Sequence, residues 1–150
     1  MNSLNQILKT NANLNINKQT VINVSLVSIW IKDEVLTALK PYELSIEQFN
    51  VLRILRGKKG EAANLKDIQD RMVNKMSNTT RLVDKLILKQ YVERFICEKN
   101  RRKVEIFITD KGLDILQTID PIIDHTEQQI TKNLSPSELK QLNTLLLKMR

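Results

Sequence analysis

The chain has 150 residues, and its 24 Lys and Arg against 17 Asp and Glu give a net charge of +7, which favours an anionic partner, although an ordinary basic soluble protein has the same balance. Only 3 glycines and 3 prolines leave little room for a many-turned β-sandwich or barrel, so we expect a helical protein. The single cysteine excludes an intrachain disulfide, and no apolar run approaches the roughly 20 residues needed to cross a bilayer.

The first segment is polar and rich in Asn, with neither a basic leader nor a continuous apolar stretch. We therefore expect residues 1–18 to form a frayed polar tail and the protein to be cytoplasmic. From residue 20 to 39 apolar side chains recur at helical spacing over a wide face. Lys40-Pro41 ends this helix, because a residue that precedes proline is disfavoured in the α region.

Three further helices follow. Ser45 and Gln48 fit a capping box that starts the second helix, which runs to the loop GKKGEAAN. Asn64 can cap a short third helix, LKDIQDRM. Asn74 or Ser77 then starts the fourth. The inner face of the fourth helix is predicted to carry Thr79, Leu82, Val83, Leu86 and Ile87. Its outer face is predicted to carry Ser77, Asn78, Arg81, Asp84, Lys85 and Lys89.

A β-hairpin with a charged tip comes next, because YVERFIC and VEIFIT are β-branched and aromatic and flank the cationic EKNRRK. Thr109-Asp110 caps a helix that Pro121 should kink or split. Ser135-Pro136 opens the last helix, which carries a long apolar stripe.

The pattern predicts one domain that is mainly α with a small β-hairpin wing. A winged helix-turn-helix occupies residues 45–109, and residues 19–40 and 110–150 form dimerisation helices, because a symmetric partner would bury their apolar faces. The predicted dimer interface consists of Val24, Leu139, Leu142, Leu145, Leu146 and Met149.

The positive charge is concentrated in the winged helix-turn-helix. Residues 53–103 hold 15 Lys and Arg against 6 Asp and Glu, a balance of +9, so the rest of the chain is slightly acidic. A basic helix-turn-helix followed by a basic wing is typical of proteins that dock on duplex DNA.

Short polar groups near the start of the fourth helix can hydrogen-bond phosphates or base edges. Arg81 can reach guanine or a phosphate, Lys85 suits a phosphate, and Arg102 suits the narrow, negative minor groove. The alternatives are a solvated helix face and a merely soluble hairpin. The predicted DNA-binding residues are Lys75, Ser77, Asn78, Thr79, Thr80, Arg81, Lys85, Lys99, Arg101, Arg102 and Lys103.

The segments SIEQFNVLRIL, LKDIQDRM, SNTTRLVDKL, YVERF and RRKVEIFITDKG, in this order, resemble the MarR family of bacterial transcription regulators over roughly residues 20–150. The resemblance implies a dimer built from the terminal helices, with recognition helices in successive major grooves of a pseudo-palindromic operator and wings over the minor grooves. It also implies that a small molecule or an oxidant releases the DNA.

Two positions depart from the family pattern. Asn100-Arg101-Arg102 stands where the family commonly has Asp-x-Arg, so the arginine lacks its usual acidic partner. Gln90 stands where the family usually has glycine after the recognition helix. If Gln90 adopts a left-handed conformation, that conformation costs about 1 kcal/mol.

Other side chains carry weaker signals. By the resemblance alone, Trp30, Tyr42 and Phe49 would line an effector pocket, whereas simple core or dimer packing is the alternative for Trp30. Cys97 is read first as an inert thiol, and the lone His125 indicates no metal site.

No pattern of catalysis or cofactor binding stands out, so the sequence predicts a non-enzyme without cofactor or metal. We expect a sequence-specific, duplex-DNA-binding transcription regulator, an effector-responsive repressor that acts as a homodimer. The alternative is a winged-helix protein-interaction module that binds an acidic protein partner.

Overall fold

A computed structural model of the chain describes residues 3–100 and 103–150. It confirms the prediction of a mainly helical fold with one small hairpin. Among the described residues, no helix combines the length and apolar character that a bilayer crossing needs. The elements in chain order are α1 (Leu4–Ile7), α2 (Ile16–Leu39), a 3-10 turn (Lys40–Tyr42), α3 (Ile46–Gly57), α4 (Leu65–Arg71), α5 (Thr79–Leu88), β1 (Val92–Ile96), β2 (Val104–Ile108), α6 (Asp110–Thr131) and α7 (Pro136–Lys148).

Local capping sets most of the helix starts, and the predicted caps at Ser45, Asn64 and Ser135 are confirmed. The Ser45 Oγ accepts the Gln48 N–H at 3.0 Å, and the Gln48 side chain accepts the Ser45 N–H at 3.1 Å. Such reciprocal bonds satisfy N–H groups that the helix itself leaves without partners. At α7, hydrogen bonds from the backbone and hydroxyl of Ser135 hold the pKa of Glu138 below its ordinary value.

The amino-terminal segment is more ordered than the predicted frayed tail of residues 1–18. Ser3 caps the short helix α1, and α2 begins at Ile16. The Asn15 Oδ1 accepts the Lys18 N–H at 2.9 Å, so the local N-cap extends α2 several residues beyond its predicted start.

Of two other predictions about helix boundaries, the cap of α5 is wrong, and the split of α6 at Pro121 is not observed, while the alternative of a kink stays a prediction. α5 is capped by Asn78, whose Oδ1 accepts the Arg81 N–H at 3.1 Å, and not by Asn74 or Ser77. Pro121 does not split α6, which runs unbroken from Asp110 to Thr131. Pro121 and the residue one turn before it, Gln117, are both exposed. Water can therefore solvate the carbonyl that loses its helical partner, which makes the proline tolerable.

One apolar core joins the end of α2 to α3, α4, α5, the hairpin and α6. Within the described chain, Leu39 is the only fully buried side chain of α2, and α7 has none. All six residues of the predicted dimer interface lie at the surface, with Leu139 half-buried and the rest exposed. The terminal helices therefore keep broad apolar surface that this chain alone does not cover.

The hairpin is antiparallel, with a register that runs from Val92 opposite Ile108 to Ile96 opposite Val104. Ala63, in the loop before α4, adds an isolated bridge to Ile106 through two backbone hydrogen bonds of 3.0 and 2.8 Å. These bonds join the middle of β2 to the loop before α4 and so attach the hairpin to the helix-turn-helix.

Gly112 allows the start of α6 to approach the hairpin closely. A Cβ at this position would lie 2.3 Å from the Tyr91 carbonyl oxygen and 2.7 Å from Ile108 Cγ1. The first of these neighbours is backbone, so it cannot give way as a flexible side chain would.

We therefore expect Gly112→Ala to lower the free energy of unfolding by about 1–3 kcal/mol, the usual effect of an overpacked site. Urea denaturation followed by circular dichroism measures this change. Gly57→Ala is the matched control, because a Cβ there meets no described atom within 4 Å. Equal stability of the two variants would contradict the close packing at Gly112.

Candidate nucleic-acid interface

α5 has two chemically different faces. Thr79, Val83 and Leu86 are buried, whereas Arg81 and Lys85 are exposed. Residues three or four apart lie on the same side of a helix. An exposed stripe therefore runs along α5, and it consists of Arg81, Asp84, Lys85 and Leu88.

An ion pair connects this stripe to the wing. The Arg94 Nη1 of β1 lies 2.6 Å from the Asp84 Oδ1 of α5, and both side chains are partly exposed. Solvent screening limits such a pair to about 0–1 kcal/mol of stability. Its main consequence is geometric. The first wing strand lies beside the exposed stripe, on the same side of the winged helix-turn-helix lobe (residues 45–109).

The loop at the wing tip is closed by backbone hydrogen bonds. The Cys97 N–H donates to the Lys103 carbonyl at 3.0 Å, and the Lys103 N–H donates to the Asn100 carbonyl at 2.8 Å. The predicted DNA-binding residues Lys99 and Lys103 are exposed on this loop. Arg101 and Arg102, the other predicted wing residues, lie outside the described residues.

Gln90, between α5 and β1, has φ +63°, so it does adopt the left-handed conformation for which glycine is better suited. Two hydrogen bonds hold it there: its N–H donates to the Ile87 carbonyl at 2.8 Å, and its carbonyl accepts the Thr109 hydroxyl at 2.8 Å. These bonds offset part of the roughly 1 kcal/mol cost. The chain thus makes the turn into the wing without the usual glycine.

The structure corrects two of the predicted contacts on α5. Thr79 is only 6% exposed, and its hydroxyl donates to the Gln69 Oε1, so it is turned towards α4. The Ser77 Oγ is enclosed as well, and it has no hydrogen-bond partner among the described residues. Sequence periodicity placed Ser77 outside, whereas its hydroxyl is enclosed in the structure.

The other predicted residues of this region have distinct positions. Thr80, Arg81 and Lys85 are exposed along α5, and Asn78 is exposed at the cap. Lys75 is exposed in the turn, where its ammonium donates to the Asp70 carbonyl. The turn and α5 therefore present a polar, cationic surface, although with fewer hydroxyls than the sequence suggested.

Two residues of α4 were not predicted. Lys66 and Gln69 line a shallow groove between α4 and α5 together with Asn78 and Thr80. Lys66 is exposed in the first turn of α4, directly after Leu65. The predicted cap at Asn64 fixes this position in the sequence, so Lys66 could have been identified as a cation near the start of α5. No sequence pattern identified Gln69, because its hydrogen-bond partners Lys75 and Thr79 lie six and ten positions away in the chain.

A cleft of about 230 Å³ separates α2 and α6 from α3 and the turn before α5. Phe49, Met72 and Ile123 give it apolar walls, and Lys32 and Arg53 are cations on its lining. Phe49 thus lies where the resemblance implied an effector pocket.

Trp30 and Tyr42 are not among the residues that line this cleft, so this part of the prediction is corrected. Trp30 is exposed on α2, where its indole N–H donates to the Glu34 carboxylate at 3.0 Å. Tyr42 packs against the core from the 3-10 turn.

Residues 44–104, which comprise α3 to the start of β2, match the model of the MarR family. The chain is 28% identical over 104 residues to the HTH-type transcriptional regulator BilQ of Clostridioides difficile (strain CD3), an alignment that covers 69% of each protein.

Among solved structures, the chain is similar to Bordetella bronchiseptica BpsR, with a TM-score of 0.79, 20% identity and coverage of 92% of this chain and 97% of that one. It is also similar to a mutant of MarR from E. coli complexed with operator DNA, with a TM-score of 0.75, 23% identity and 99% of each chain covered. At these identities the two structures show a shared fold. Together with the matched segment and the relative, they show that the chain is similar to MarR-family transcription regulators, with the family pattern itself matched over residues 44–104.

Proposed function

We propose that this protein regulates transcription by binding duplex DNA as a homodimer, with α5 in the major groove and the wing over the adjacent minor groove. The Asp84–Arg94 ion pair carries this proposal, because it joins the exposed stripe of α5 to the wing. Two cationic elements on one side of a lobe match the two neighbouring grooves of a duplex.

Roles for individual residues follow from exposure and chemistry. Arg81 has a planar guanidinium, which can bond the O6 and N7 of guanine at once, so we assign it to base reading. Lys85 lies one turn further along α5, and its ammonium suits a phosphate. On the wing we assign Arg102 to the minor groove, with Lys99, Arg101 and Lys103 on the flanking backbone.

We infer the homodimer from the apolar surface of the terminal helices, which the single chain leaves uncovered. Leu145 of α7 and Met149 at its C-cap are more than half exposed, and the 13-residue α7 has no buried side chain in the described chain. An isolated helix of this length is marginal in water, because packing supplies most helical stability. A second copy that covers α7 and the exposed face of α2 would supply that packing.

A symmetric dimer presents two identical lobes, so the matching operator is pseudo-palindromic, with half-sites about one helical turn apart. The cleft beside Phe49 provides the place for an effector, since it touches both the dimer-side helices and the turn that precedes α5. BpsR, which shares the fold, is described as regulated in its DNA binding by 6-hydroxynicotinic acid. By this analogy we propose that the protein responds to an effector, and we assign it the role of a repressor on the family resemblance alone.

We expect Arg81→Ala to weaken binding to a preferred duplex by about 1–3 kcal/mol and to relax base preference, because one base-reading contact is lost. Lys85→Ala should weaken binding to all sequences alike and flatten the salt slope by about one unit. Fluorescence anisotropy at several salt concentrations measures both effects. Lys140→Ala, an exposed cation on α7, is the matched control and should leave the slope unchanged.

The same titration tests the proposed function as a whole. The wild-type protein should bind random duplex DNA at low salt and release it as salt rises. If it bound no duplex even at low salt, the DNA-binding assignment would be wrong, and a basic lobe that takes an acidic protein partner would replace it.

For the dimer, we expect Leu142→Glu and Leu146→Glu to produce monomers that keep their helical content, since neither residue belongs to the core. A buried carboxylate without a partner is strongly unfavourable, so the interface should not form. Sedimentation equilibrium measures the mass, and Gln141→Glu is the control, because it adds an exposed charge to the same helix. Monomeric wild-type protein at micromolar concentration would refute the proposed dimer.

A further inference from the structure

The segment from 72 to 78, which joins α4 to α5, has little apolar burial to hold it. Met72 is buried, but Val73 is 88% exposed and Met76 is 92% exposed. Burial of apolar surface therefore fixes the segment at Met72, but it does not fix the path of the residues that follow. The position of the first turn of α5 depends on hydrogen bonds as well as on the packing of Leu82 and Val83.

A single side chain of α4 makes two of these hydrogen bonds. The Gln69 Nε2 donates to the Lys75 carbonyl at 2.6 Å, and the Gln69 Oε1 accepts the Thr79 hydroxyl. One amide thus joins α4 to the middle of the segment and to the first residue of α5. The other end is held from α3, where the Asn50 Oδ1 accepts the Val73 N–H at 3.0 Å.

We propose that Gln69 is a positioning residue that locks the start of α5 against α4, so that Thr80 and Arg81 are presented to DNA in one orientation. The proposal rests on the proposed DNA-binding function. Thr79 makes the lock effective, because its side chain is only 6% exposed and a hydroxyl left without a partner there is unfavourable. Without Gln69 the first turn of α5 must shift to satisfy that hydroxyl.

Loss of the Gln69 hydrogen bonds should reduce the preference for one DNA sequence more than it reduces the affinity for duplex DNA in general. Contacts with base edges depend on a fixed register of the helix, whereas attraction to phosphates tolerates small displacements. Both polar atoms of the Gln69 side chain are already engaged within the protein. Within the described chain the second N–H and the second lone pair of the amide stay free, but these two bonds already direct the side chain towards Lys75 and Thr79, so positioning is the role that the geometry supports.

The test uses Gln69→Met, which keeps length and helix propensity but removes both hydrogen bonds, and Thr79→Val, which keeps the volume and removes the hydroxyl. The double variant completes the cycle. Gln117→Met is the matched control on the exposed surface of α6. Binding is measured with a duplex selected from a random-sequence pool by the wild-type protein and with a scrambled duplex of the same length.

We expect each single variant to bind the selected duplex about tenfold more weakly, because each removes one partner of the Gln69–Thr79 hydrogen bond and leaves the other unsatisfied. The double variant should be no weaker than Gln69→Met, because the Gln69–Thr79 bond is already absent in that variant. Affinity for the scrambled duplex should stay within about twofold, and the salt slope should not change. In the DNA-free protein, the amides of residues 79–82 should exchange faster in Gln69→Met.

Three results would overturn the positioning role: unchanged affinity for the selected duplex, an equal loss for both duplexes, or additive losses in the double variant. If the wild-type protein bound no duplex at all, the proposed function would fail. In that case the amide exchange still decides whether Gln69 locks α5, and unchanged exchange would reject the lock.

Discussion

The burial of one face of α5 is the constraint on which the proposed interface depends. Val83 and Leu86 are fully buried in the core that α3, β1 and α6 share. Burial of two such side chains stabilises the fold by several kcal/mol, at about 1.5–3 kcal/mol each. The exposed Asp84–Arg94 pair contributes far less. Packing therefore decides which face of α5 is inside, and helical geometry then leaves Arg81 and Lys85 outside. The ion pair only adjusts how the wing lies beside them.

A second, weaker link joins the lobe to the helices that we propose for the dimer. Arg56 of α3 donates two hydrogen bonds to Asp120 of α6, at 2.5 and 3.3 Å. Both side chains are about one-third exposed, so the pair adds little stability. Its bidentate geometry nevertheless fixes the direction between α3 and α6. α3 and α6 also border the cleft beside Phe49, although neither Arg56 nor Asp120 lines it.

Features encoded within a few residues could be predicted from the sequence. The capping boxes at Ser45 and Ser135 use partners three residues away, and the hairpin has a distinct composition. The start of α5 could not be decided in this way, because Asn74, Ser77 and Asn78 are all plausible caps within five positions. The structure uses Asn74 for a local turn, in which its Oδ1 accepts the Met76 N–H.

The candidate site was predictable in outline and not in detail. The charge of residues 53–103 and the spacing of Arg81 and Lys85 indicated the exposed surface. Periodicity alone could not assign the hydroxyl of Thr79, which was grouped with both the inner face and the contacts. Its orientation depends on Gln69, ten residues earlier in the chain. The effector residues Trp30 and Tyr42 came from analogy alone, and the cleft is built from other side chains.

The central claim is that α5 and the wing face the same duplex, and tethered DNA cleavage tests it most directly. An iron chelate is attached through cysteine at Leu88 on α5 or at Glu98 on the wing, in a Cys97→Ser background; both positions are exposed and neither is a proposed contact. Our account predicts that both proteins cut one selected duplex in adjacent grooves, within about one helical turn of each other. Cleavage from only one position would contradict it, and so would zones of the two proteins that lie more than about 10 base pairs apart within the same half-site.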